Sequence, residues 1–179
     1  FHFPEMQALG LPKDFEVVQA NYVPNPRANT VRGGHAEDYA KLCFTDKPVY
    51  VKLTDLRPGK NFGRIYSFTL NGCQALYIPE GVANAFQTLF PKTTYIYMVA
   101  GIWERGKKYS MINVMKYRWK KLPTKRYTSN EDLKHPTIAE FAKDHKIRIP
   151  KKRKSANARS NGPVPAGNLT VRNTMLHGR

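Results

Sequence analysis

An all-β domain, built as an antiparallel sandwich or barrel, is the fold class this sequence predicts, on three observations. Short apolar segments recur between residues 16 and 99, cut apart by Pro, Gly, Asn and Asp. Val49, Val51 and Leu53 alternate with Tyr50, Lys52 and Thr54, and Tyr95, Tyr97 and Val99 oppose Ile96 and Met98. That period of two belongs to a pleated strand with two distinct faces. No convincing amphipathic helix interrupts the run.

Taken in order, residues 1–14 read as an irregular entry broken by Pro4, Gly10 and Pro12. Residues 16–22 read as a strand and residues 24–29 as a loop. Thr30, Val31 and Arg32 lead into Gly33, Gly34 and His35, a stretch expected to line the mouth of the barrel. Its glycines let backbone approach a ligand, its arginine grips phosphate and its histidine titrates near neutral pH. Strands are then expected over 41–45, 49–54, 64–70, 74–78 and 93–99, with an apolar segment at 83–89. Lys47-Pro48 marks a turn, and Asn71-Gly72 is a hairpin signal. Residues 109–119 read as one or two further strands, rich in Lys and Arg. Ser129 precedes a helix start, and residues 137–145 form a short helix.

A chain of 179 residues with 41% hydrophobic content fits one domain with a real core. No apolar run reaches the roughly 18 residues of a membrane span, and the first residues lack a signal-peptide pattern. No membrane span and a cytoplasmic location are therefore expected. Cys43 and Cys73 are expected to be buried free thiols of a reducing compartment.

The net charge of +17 is unevenly placed: residues 1–104 hold ten Lys/Arg against nine Asp/Glu, residues 105–179 twenty against four. A domain over 1–145 and a basic extension over 146–179 follow. The extension lacks the apolar content to fold alone and needs a partner to order it. Cations interleaved with Tyr109, Tyr117, Trp119 and Tyr127 suit a polyanion such as RNA, or an acidic protein.

An ordered string of motifs carries a resemblance: Arg32-Gly33-Gly34-His35, Lys41-Leu42, Thr54-Asp55-Leu56-Arg57, Asn61-Phe62-Gly63, residues 78–86 and Tyr95-Ile96-Tyr97. Over about residues 15–140 it resembles the dTDP-4-dehydrorhamnose 3,5-epimerases. The resemblance implies a cupin-like jelly roll. It also implies an isomerase that epimerises a dTDP-linked 4-keto-6-deoxy-sugar in dTDP-rhamnose biosynthesis, and a homodimer formed by strand exchange. No cofactor and no metal are implied, since His35 has no second histidine near it in the sequence. The implied roles are His35 as base, Lys41 as the cation that holds the enolate, Tyr97 as proton donor and Asp132 as the carboxylate orienting His35. Arg32 would hold the pyrophosphate, with Gln19, Asn21 and Asn84 as further substrate contacts.

Departures from the family pattern are also visible. Asn84 stands where the family carries a second histidine, Val51 where it carries a carboxylate, and Ile102 where it carries a substrate-side tyrosine. An alternative reading keeps the cupin fold without catalysis, as a structural part of a ribonucleoprotein that binds through the basic third.

Overall fold

Each punctuated segment becomes a strand in the computed structural model of the chain, which describes residues 2–104 and 109–150 and the backbone of 171–173. The strands are β1 (Gln19–Asn25), β2 (Val31–Ala36), β3 (Lys41–Thr45), β4 (Val49–Asp55), β5 (Ile65–Leu70), β6 (Gln74–Ile78), β7 (Val82–Thr88), β8 (Thr93–Val99), β9 (Ser110–Met111) and β10 (Val171–Asn173). The helices are short: α1 (Phe3–Ala8), α2 (Asn130–Lys134) and α3 (Ile138–Asp144). None of them is long and apolar enough to cross a membrane. Among the described residues the strands form two five-stranded sheets, ordered β1-β8-β3-β6-β10 and β5-β4-β7-β2-β9. All their ladders are antiparallel. This is the expected jelly roll.

Three apolar layers hold it together. Between the sheets lie Val49, Val51 and Leu53 of β4 with Leu76, Ile78, Phe86 and Tyr95. Outside the first sheet, Phe3 and Met6 of α1 cover Leu42, Phe44, Ile96 and Met98. Outside the second, Ile112, Val114, Trp119 and Phe141 cover Val31, Ala83 and Ala85. Covering on both sides explains why β7 is buried at every position and shows no solvent-exposed face. Each fully buried Leu, Ile or Val contributes about 1.5–3 kcal/mol relative to exposure.

The alternation read in β4 is real, but its second face is covered rather than solvated. Lys52 is 7% exposed, with Nζ 5.3 Å from the Tyr50 ring centre, 5.7 Å from Trp119 and 6.0 Å from Tyr117. Its hydrogen bond goes to Ser67 Oγ at 2.8 Å. Burial pushes the Lys52 ammonium below its usual pKa, so its charged form is penalised in the fold. The penalty is fully present below the folded pKa and disappears as pH rises to the unfolded value of about 10.4. Lys52→Met, which keeps the volume and removes the charge, is expected to melt at or above the wild type at neutral pH. The difference should shrink towards pH 10 in thermal melts; a large loss of stability instead would mean that the aromatic contacts outweigh the burial of the charge.

Several sequence expectations are corrected. Residues 3–8 are helical because Pro4 sits in the first turn, where its missing N–H costs nothing. The first strand starts later and runs through Pro24, which β1 tolerates as a sheet edge. Asn71-Gly72 does not make a hairpin, since β5 and β6 belong to different sheets. Neither residue takes the positive φ of a type I′ turn. Cys73, in that connection, is exposed, while Cys43 is buried. Most of residues 109–119 is not strand; only Ser110–Met111 pairs, yet Ile112, Val114 and Trp119 are buried.

The extension expected at 146–179 lies largely outside the described residues, but the aromatics named for the polyanion contact lie within them. Trp119 is buried in the outer core and the Tyr117 hydroxyl is hydrogen-bonded to Thr54, so neither ring is free to stack on a base. Two of the extension's described parts join the domain. Ile147 packs against the outer core, and β10 pairs with β6 at the edge of the first sheet.

Candidate active site

The inner face of the jelly roll opens at one end into a cavity of about 430 Å³. A β-bulge decides what faces it. In β2, Arg32 pairs with Phe86 and Gly33 with Ala85, but His35, rather than Gly34, pairs with Asn84. Strict alternation would send Arg32 and His35 to opposite faces; the extra residue turns both into the cavity. Gly33 and Gly34 take φ of 102° and 95°. A Cβ on Gly33 would collide with the Asn84 carbonyl, and one on Gly34 with the Ile112 carbonyl. Both glycines therefore admit neighbouring backbone; Gly33 also lines the cavity, as the sequence reading expected, and Gly34 does not.

His35 is brought to Asp132, 97 positions along the chain, with Nε2 to Oδ1 at 3.0 Å. Asp132 lies in the first turn of α2, where its N–H donates to the N-cap Ser129 hydroxyl at 3.0 Å. Burial opposes ionisation of its carboxyl, but hydrogen bonds from His35, Ser129 and the Gly33 N–H outweigh burial and hold its pKa below the usual value. An ionised Asp132 fixes the ring proton on Nε2 and leaves the lone pair of His35 on Nδ1. That is the tautomer a general base needs.

Lys41, at the start of β3, is 5% exposed and ion-paired with Glu37. Its Nζ stands 5.9 Å from the centre of the Tyr97 ring. Burial, reinforced by the negative charge of Glu37, raises the Tyr97 phenol above its ordinary pKa. Tyr97 therefore holds its proton at neutral pH and can give it away. His35, Lys41, Tyr97 and Asp132 all line this one cavity.

Among the binding candidates, Arg32 lines the cavity with Nε donating to Asn25 Oδ1 at 2.8 Å. Asn84 lines it too, donating from Nδ2 to the Tyr95 hydroxyl at 3.1 Å, while its buried Oδ1 has no hydrogen bond among the described residues. Gln19 and Asn21 lie outside the cavity lining; Gln19 Nε2 donates to Asn21 Oδ1 at 2.7 Å, and Gln19 Oε1 accepts from the Trp103 N–H at 3.1 Å. Val51 belongs to the core between the sheets, and Ile102 is 61% exposed.

Sequence reasoning missed Glu37 and His135. Glu37 sits two residues beyond His35, just past the stretch singled out. His135 follows Asp132 by one helical turn, and its ring lies 5.5 Å from that of His35. The premise that His35 has no histidine nearby is thus corrected: distance along the chain hid a neighbour that α2 delivers.

A family model described as dTDP-4-dehydrorhamnose 3,5-epimerase matches residues 1–140. A protein named as an RmlC homolog from Streptococcus pyogenes is 30% identical over 150 residues, covering 78% of this chain and 76% of the relative. The solved structure of RmlC from Streptococcus suis, in complex with dTDP-D-xylose, is 30% identical and matches with a TM-score of 0.72 over 79% of this chain and 77% of that one. The RmlC epimerase of Mycobacterium tuberculosis, at 20% identity and a TM-score of 0.70 over 83% of this chain and 78% of its own, shares the fold.

Proposed function

This chain belongs to the dTDP-4-dehydrorhamnose 3,5-epimerase family, and on that premise we propose that it epimerises a dTDP-linked 4-keto-6-deoxy-sugar. The observation that carries the reading is the His35–Asp132 pair opening onto the cavity shared with Lys41 and Tyr97. His35 Nδ1 removes a proton from a carbon beside the ketone, and the electron pair moves onto the ketone oxygen as an enolate. The Lys41 ammonium offsets that developing charge. Tyr97 returns a proton to the carbon from the other face, which inverts it. Arg32 holds the pyrophosphate, and Asn84 contacts the sugar in place of the family histidine, as acceptor or donor but not as an acid or base.

Incubation with a dTDP-4-keto-6-deoxy-hexose in D₂O tests this. Deuterium is expected at carbons flanking the ketone, with an epimerised product by NMR. No incorporation at any pH between about 6 and 9, with dTDP still bound, would remove the enzymatic reading.

A homodimer and a cytoplasmic location belong to the same proposal. Edge strand β1 and its flanks leave Val18, Tyr22, Ile102 and Trp103 each more than half exposed, an apolar surface suited to a second copy. The free thiols Cys43 and Cys73 suit a reducing compartment. Sedimentation equilibrium is expected to return twice the 20.5 kDa chain mass. Tyr22→Asp should shift that towards the monomer; a monomeric wild type would sink the dimer.

A further inference from the structure

Asp132 receives two imidazoles at one oxygen. His35 Nε2 lies 3.0 Å and His135 Nε2 3.8 Å from Oδ1, and the three atoms fall within 4.8 Å of one another. His135 Nε2 is buried and makes no hydrogen bond among the described residues. A buried polar atom in that state costs free energy unless something meets it. The three groups come from separately anchored elements: His35 from the bulge in β2, Asp132 from the first turn of α2, and His135 from the residue that caps α2.

A zinc-class ion bonds imidazole nitrogen and carboxylate oxygen at about 2.0–2.2 Å, so neighbouring ligand atoms of a tetrahedral site stand roughly 3.3 Å apart. The observed 3.0 and 3.8 Å fall on either side of that spacing. Ring rotations that draw the two imidazole nitrogens, which lie within 4.8 Å of each other, to that spacing would complete the geometry, with a fourth position towards the cavity that all three residues line. Two imidazoles and one carboxylate suit Zn²⁺ and its transition-metal neighbours, not Ca²⁺ or Mg²⁺, which take oxygen ligands.

We propose that His35, Asp132 and His135 form a binding site for a divalent transition metal of the zinc class, and that an ion held there blocks epimerisation. The block rests on the function proposed above; the site does not. An ion on His35 Nε2 takes the place of the ring proton, which moves to Nδ1 and fills the lone pair that would remove the substrate proton. The ion is therefore an inhibitor and not a cofactor of the reaction. It also separates Asp132 from its role as hydrogen-bond acceptor for the ring.

Zinc titration calorimetry on the full chain, freed of metal with EDTA and exchanged into buffer, tests the site without reference to activity. The wild type is expected to bind one Zn²⁺ saturably, and His135→Ala and His135→Asn to bind more than about tenfold more weakly. Co²⁺ should give the wild type a visible tetrahedral spectrum, a readout that needs no variant. Epimerase rates, each scaled to the same protein's metal-free rate, should fall with Zn²⁺ in the wild type, recover with EDTA, and resist Zn²⁺ in His135→Asn. No saturable binding by the wild type, or equal binding by His135→Asn, overturns the site. Site-specific binding with an unchanged rate overturns the block alone. If the chain epimerises nothing, calorimetry and the Co²⁺ spectrum still decide the site.

Discussion

Replacing His35 with alanine is expected to lower turnover by roughly a hundred- to ten-thousand-fold, the range general acid–base groups contribute. Geometry and charge single this residue out. Of the other groups lining the cavity, Lys41 and Glu37 are ion-paired with each other, Glu131 is paired with Lys134, the Tyr97 phenol holds its proton, and His135 Nε2 is buried, so His35 is the group best placed to act as the resting base. Asn84 has no exchangeable pair at all. Solvent deuterium exchange should fall with turnover, because both need the same proton removal. Binding of dTDP should survive, since Arg32 lies on the other side of the bulge from the deleted ring. Asp132→Asn gives a graded version: an amide can donate to Nε2 and favour the wrong tautomer, while the volume is kept. A His35→Ala variant that keeps even half the wild-type exchange rate would falsify the assignment of the base.

Much of this arrangement is legible in the sequence. Period-two alternation located β4 and β8, and the helix-start pattern placed Ser129 at the cap of α2 and Asp132 in its first turn. What stayed hidden shares one physical cause: it depends on register or on contacts between distant segments. Nothing local says that Gly34 is an unpaired extra residue, since that depends on how β2 meets β7. Glu37 reads as a solvated charge until the chain turns back and Lys41 pairs with it. His135 reads as a residue following a short helix until α2 docks over β2.

Residues 112–120 mislead for a related reason. Their backbone is satisfied without a ladder: Ile112 N–H donates to Gly34 O at 2.8 Å, Asn113 N–H to Pro136 O at 2.7 Å and Lys120 N–H to Gln87 Oε1 at 3.0 Å. The segment is buried like a strand and composed like one, yet its partners are the bulge of β2, the chain after α2 and a side chain of β7 rather than a continuous ladder. Periodicity detects the burial but not the pairing.

Gly34→Ala is expected to damage both stability and turnover, although the residue does not line the cavity. Two costs combine there. A φ of 95° lies outside the comfortable range of an L-residue, a strain of about 1–2 kcal/mol. The added Cβ would also meet the Ile112 carbonyl, which is itself held by the Ile112 N–H bond to Gly34 O and by full burial of the Ile112 side chain. Relief requires β2 to move away from the 112–114 segment, and that movement carries His35 off Asp132. Melting should fall by roughly 6–12 °C, from about 3 kcal/mol at 2–4 °C per kcal/mol for a chain of this size. Turnover should fall at least tenfold, because a misplacement of about 1 Å is enough to spoil proton transfer. Gly59→Ala separates the two costs: its φ is 132°, but nothing stands within 4 Å of the added Cβ, so it should lose only the strain and keep full turnover. Equal behaviour of the two variants would mean that positive φ alone explains the glycines, and that the close approach of Ile112 does not set the position of His35.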